Sequence, residues 1–244
     1  MTVLRSLLFA LLFYANTTFW VVAGIPTLLL PYPLFMRITV RNWARTSLWI
    51  HRIVCGVTLE IRGRENIPQG AVLVAAKHQS AWETLFLVLI FPQPIYVAKR
   101  ELLFVPLFGW YIWKSQQITI DRGKGAAVVA MLNRKAKQAV ALGRQLLIFP
   151  EGTRRAVDAE PAYKSGVGHL YRELGVKCLP VALNVGLFWP RRTFMKYPGK
   201  VIVEFLPPIE PGLRRVEFMP LLEERIEQAT NRLVAEARAE GCSR

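Results

Sequence analysis

His78 and Glu83 are the residues best placed to do chemistry. They lie in Lys77-His78-Gln79-Ser80-Ala81-Trp82-Glu83, directly after the apolar run 71–76. That run is short and bounded, like a buried strand. Ser80 and Glu83 have the S-x-x-E spacing of a capping box, which predicts a helix with Ser80 as its N-cap. His78 then occupies a strand-to-helix turn, with Glu83 one turn into the helix. An imidazole beside an orienting carboxylate is a general-base arrangement. Each residue alone also has a structural reading, Glu83 as a cap and His78 as a packed imidazole.

A second stretch, L-L-I-F-P-E-G-T-R at 146–154, repeats the pattern of a buried strand entering a polar turn. Gly152 lets backbone approach an anion closely. Arg154 can hold a phosphate through a bidentate fork. A base at one strand end and an anion grip at another suit a transferase acting on a phosphorylated alcohol.

These residues carry a resemblance. H-x-x-x-x-E at 78–83 and F-P-E-G-T-R at 149–154 resemble the first and third blocks of the glycerolipid acyltransferase family, in its bacterial 1-acyl-glycerol-3-phosphate branch. Residues 98–102 with Gly109 and 118–122 resemble the second block, and 178–184 the fourth. Where the family usually has Asp, this chain has Glu83, one methylene longer.

The resemblance implies transfer of a fatty acyl group from acyl-CoA or acyl carrier protein to the sn-2 hydroxyl of 1-acyl-glycerol-3-phosphate (lysophosphatidic acid), giving phosphatidic acid. His78 would be the base and Glu83 its orienting acid. Lys99 and Arg154 would grip the phosphate, with Arg122 in support, and Glu151, Gly152 and Thr153 would shape that pocket. No metal or cofactor is implied beyond the acyl carrier. Three other readings stand beside this one: Ser80 as an acylated nucleophile, a different lyso-lipid acceptor, and a non-catalytic basic module for membranes or nucleic acid.

Composition bears on the last of these. The formal charge is +15 over 244 residues, which calls for an anionic partner. Hydrophobic content of 52% and an apolar N-terminus favour an anionic membrane surface over nucleic acid. Cys55, Cys178 and Cys242 are far apart and imply no disulfide framework. No Walker A loop, G-x-S-x-G or H-E-x-x-H occurs. His51 and His169 read as structural or surface residues.

Residues 6–36 carry no charged side chain, and 7–25 is long enough to cross a bilayer core. Asn16, Thr17 and Thr18 interrupt that run, and Pro26, Pro31 and Pro33 follow it. Arg37, Arg41 and Arg45 then recur every four residues, which gathers them on one face of an interfacial helix facing lipid phosphates. The arginine cluster places the catalytic part in the cytoplasm. The resemblance favours a monotopic anchor on the bacterial inner membrane.

The expected organisation is therefore residues 1–54 as a membrane-associating helical segment and 55–244 as the catalytic domain. Strands are expected at 57–62, 71–76, 95–98, 118–120, 146–149, 176–184 and 201–205. Helices are expected near 81–90, 126–142, 163–174 and from Pro220 onward. Strands alternating with helices make an α/β domain with a mainly parallel or mixed sheet. The aromatic stretch 106–113 reads as core, as an acyl-chain wall or as a membrane-facing patch.

Overall fold

The structure is a computed structural model describing residues 1–121 and 125–242. The chain opens with helices α1 (Thr2–Ala23), α2 (Tyr32–Phe35) and α3 (Arg41–Cys55) before entering strand β1 (Val57–Arg62). Then follow β2 (Val72–Ala76), α4 (Trp82–Ile90), β3 (Pro94–Lys99), α5 (Phe108–Lys114), β4 (Ile118–Ile120) and α6 (Gly125–Ala141). The remainder is β5 (Gln145–Ile148), α7 (Gly166–Leu174), β6 (Cys178–Leu183), β7 (Gly199–Phe205) and α8 (Arg215–Ala239).

The strands form one mixed α/β sheet in the order β1-β7-β6-β2-β5-β3-β4. β6, β2, β5, β3 and β4 are mutually parallel. β7 runs antiparallel to β6 and parallel to β1. β2 is buried along its whole length, which is why its sequence is unbroken Val-Leu-Val-Ala-Ala rather than alternating. In register, Ala75 lies opposite Ile148 and Tyr96 opposite Leu147. The turns after β2, β5, β3 and β4 therefore emerge at one edge, the usual place for ligands in open α/β sheets.

Helix boundaries differ from expectation in three places. α4 has Ala81, not Ser80, at its N-cap, because the Ser80 hydroxyl accepts the nearby Trp82 N–H (3.2 Å) instead of the N3 amide. α7 begins at Gly166, leaving Tyr163 outside the helix, where its hydroxyl reaches α8. α8 begins at Arg215, so Pro220 lies within the helix; the Glu217 carboxylate caps the start by accepting the Arg214 N–H (3.1 Å).

The N-terminal helices share a hydrophobic core with the sheet. Phe9, Phe35, Met36 and Ala44 are buried in one cluster with Val72, Leu87, Leu183 and Phe205. Two of the polar residues that interrupt α1 find partners on α3: Asn16 donates to Ser47 Oγ (3.0 Å), and Thr17 Oγ accepts from the Trp43 indole (3.1 Å). Arg41 is not free to face lipid. Its guanidinium donates to the carbonyls of Phe91 (2.6 Å) and Pro92 (3.0 Å) just after α4, whereas Arg37, Arg45 and Arg52 are exposed. The stretch 106–113 divides its side chains: Tyr111 is buried and bonds the Val21 carbonyl (2.8 Å), while Trp110 and Trp113 are exposed.

Candidate active site

His78 Nδ1 lies 2.8 Å from Glu83 Oε1. A carboxylate only accepts, so in the neutral imidazole Nδ1 carries the proton and Nε2 keeps its lone pair. The same Glu83 oxygen accepts the N–H groups of Gln79 and Ser80, each at 2.8 Å. Glu83 thus positions both the imidazole and the turn that bears it. The ring lies flat on Phe149, with centroids 3.9 Å apart and planes 13° apart. Its side chain is 15% exposed, and no described residue bonds Nε2. The site therefore offers an oriented base with one free nitrogen. Ser80 is fully buried and holds the Trp82 N–H, a poor location for an acyl-accepting nucleophile.

The second turn is fastened to the first. Glu151 does not project towards solvent: one oxygen accepts the His78 N–H (3.2 Å) and the other holds the Lys77 ammonium (3.0 Å). Lys77 also pairs with Glu227 on α8 (2.7 Å), and Tyr163 donates to that carboxylate (2.9 Å). Burial pushes the Glu151 carboxyl above its ordinary pKa, while Lys77 and the His78 amide pull it down. Gly152 adopts a left-handed φ of 66°, which a Cβ would oppose, and so permits the tight turn. The Arg155 N–H donates to the His78 carbonyl (2.8 Å). Behind the turn, Gln79 accepts the Gly186 N–H (2.9 Å) from the loop after β6.

Thr153 and Arg154 are exposed on this second turn, and Lys99 is exposed at the end of β3, the strand beyond β5. Two strand spacings, about 10 Å, separate the β2 and β3 ends. Arg122 lies outside the described residues. His51 is fully buried among Phe9 and Trp189, and burial lowers its pKa to about 3, with Lys196 adding to the effect. His169 bonds Asn133 across α6 and α7 (2.7 Å). Both are structural.

Sequence reasoning missed Lys77, Gln79, Tyr163 and Glu227. A lone lysine directly after six apolar residues is a local hint of a buried ion pair. Nothing local identifies Glu227, 150 residues away, as its partner.

The profile of the family described as Acyltransferase matches residues 58–184, the span holding both turns. The 1-acyl-sn-glycerol-3-phosphate acyltransferase of Pseudomonas aeruginosa is 35% identical over 96% of this chain and 91% of its own. The enzyme of the same name from Limnanthes alba is 30% identical over 76% of this chain and 66% of its own. The crystal structure of the 1-acyl-sn-glycerophosphate acyltransferase of Thermotoga maritima shares the fold, with a TM-score of 0.76 at 21% identity over 96% of this chain and 99% of that one. On the family match and the identity to the Pseudomonas enzyme, this chain belongs to the acyltransferase family.

Proposed function

We propose that the protein transfers a fatty acyl group from an acyl-CoA or acyl carrier protein thioester to the sn-2 hydroxyl of 1-acyl-glycerol-3-phosphate, forming phosphatidic acid. The contact of His78 Nδ1 with Glu83 at 2.8 Å, on a turn tied to the F-P-E-G-T-R turn, carries this reading. His78 Nε2 takes the hydroxyl proton as the oxygen attacks the thioester carbonyl. The thiolate leaves, and the proton on His78 is returned to it. Glu83 stabilises the imidazolium formed between these events. The names of the relatives support the acceptor. Lys99 and Arg154, with Arg122, hold its phosphate, while Gly152 and Thr153 shape the turn beneath it.

The reaction takes place on a membrane. α1 is 22 residues long and apolar enough to cross one, yet it is tied to the body at both ends. Near its start, Ser6 Oγ accepts the Lys196 N–H (2.8 Å), and near its end the Tyr111 hydroxyl holds the Val21 carbonyl. A helix fastened along the domain in this way lies in one leaflet, which supports a monotopic anchor; the exposed Arg37, Arg45 and Arg52 favour the cytoplasmic face of a bacterial inner membrane.

The test is an assay of purified protein with 1-acyl-glycerol-3-phosphate, other lyso-lipids and both thioester donors. Transfer is expected only to the phosphorylated acceptor. Arg154→Ala and Lys99→Ala should each raise the acceptor KM about tenfold to a hundredfold, the value of a hydrogen bond to a charge. Donor KM should stay unchanged. An unaltered acceptor KM in both variants would remove the phosphate grip from the mechanism.

A further inference from the structure

Two loops at the active-site edge bring four arginines together. Arg154 and Arg155 follow β5; Arg191 and Arg192 follow β6. The Arg191 guanidinium donates to the Arg154 carbonyl and so joins the loops. Arg155 spends a donor on the Glu160 carbonyl (2.6 Å). Among the described residues no carboxylate pairs with any of the four. By contrast, Arg62, Arg214, Arg232 and Arg238 each hold one at 2.5–2.8 Å.

This arrangement costs free energy in the absence of an anion, because like charges repel. Desolvation, then the neighbouring Arg192, Arg154 and Arg155 charges, lower the Arg191 pKa. Arg192 also has a left-handed φ of 56°, unusual for a long side chain and a mark of functional loops.

The sheet order assigns this basin a side. Lys99 lies on β3, past β5 from His78, whereas Arg191 and Arg192 follow β6, on the other flank of β2. The basin remains beside the base, through the Arg155 N–H on the His78 carbonyl. A transfer between two phosphate-bearing substrates needs a grip on each flank. We infer that Arg191 and Arg192, backed by Arg155, bind phosphate groups on the carrier of the acyl thioester on the β6 side of His78, with Arg154 between this grip and Lys99. Coenzyme A and the prosthetic arm of acyl carrier protein share that chemistry.

This inference rests on the acyl-transfer reading, and its test separates the two. Donor KM is measured with palmitoyl-pantetheine, palmitoyl-4′-phosphopantetheine and palmitoyl-CoA, which carry none, one and three phosphates. In the wild type, KM should fall as phosphates are added. A fall at the second donor assigns the phosphate both carriers share, and a fall only at the third assigns the nucleotide phosphates. Arg191→Ala and Arg192→Gly should raise KM for the phosphorylated donors about tenfold to a hundredfold. They should leave kcat, acceptor KM and palmitoyl-pantetheine KM unchanged. Arg192→Gly suits the left-handed backbone, so it removes the charge without strain. Calorimetry with free coenzyme A reads the basin without turnover, and the same variants should weaken that binding about tenfold or more. Undiminished coenzyme A binding and donor KM in both variants would overturn the inference. So would a rise confined to acceptor KM, or a loss confined to binding of phosphatidylglycerol vesicles, which would assign the arginines to a lipid headgroup. Absence of acyl transfer in the wild type, with arginine-dependent coenzyme A binding retained, would instead count against the acyl-transfer reading alone.

Discussion

At His78, a single Glu83 oxygen receives the imidazole Nδ1–H and two peptide N–H groups. Glutamine can keep an oxygen at that point but not the charge that stabilises an imidazolium. Glu83→Gln should therefore leave the fold intact and lower kcat by about a hundredfold or more, as should His78→Ala. Glu83→Asp keeps the charge on a side chain one methylene shorter and should retain more activity than Glu83→Gln. Steady-state rates on purified variants, with circular dichroism to confirm folding, decide this. A folded His78→Ala variant with near-normal turnover would exclude His78 as the base.

At the scale of elements, the site depends on a buried ionic bridge between two turns and a helix. Lys77 and Glu151 have side-chain exposures of 1% and 0%, and Glu227 closes the bridge from α8 at 15%. Removing one member of such a bridge leaves a buried charge uncompensated, at a cost of about 3–5 kcal/mol. Lys77→Met should lower the melting temperature by about 6–20 °C for a chain of this size. It should also lower kcat, since Glu151 holds the His78 amide. Lys77→Met combined with Glu151→Gln removes two of the three charges, leaving only the partly exposed Glu227, and should recover part of the loss. Differential scanning calorimetry checks both. A double variant less stable than Lys77→Met alone would mean that the charge pair is not what joins the turns.

For the molecule as a whole, the proposed membrane attachment and folding share one segment. Leu4, Leu7, Leu8 and Leu11 form an exposed stripe on α1 at helical spacing, while Phe9 on the same helix is in the core. Deleting the N-terminal helices would remove Phe9, Phe35, Met36 and Ala44 from that core, and so would confuse loss of anchoring with unfolding. Replacing the four exposed leucines with serine separates the two. Burial of a Leu side chain is worth roughly 1.5–3 kcal/mol. The quadruple variant should lose vesicle sedimentation by a factor of about a hundred or more while its melting temperature in detergent holds. Sedimentation equal to that of the wild type would place the membrane contact elsewhere.

Local sequence determined the strand-turn-helix around His78, the F-P-E-G-T-R turn and the α/β alternation. Each is written in contiguous periodicity and turn residues. The placement of Asn16 and Thr17 was different. Within α1 they read as interruptions of an apolar run, and only packing against α3 supplied Ser47 and Trp43 as partners. Glu151 likewise reads locally as part of a phosphate turn, and the tertiary structure turns it inward to Lys77 and the His78 amide. Glu227 and the Arg191–Arg192 loop joined the site only because α8 and the turn after β6 fold back onto the same sheet edge. Contacts across such distances in the chain are fixed by sheet order and burial, which no local window of sequence contains.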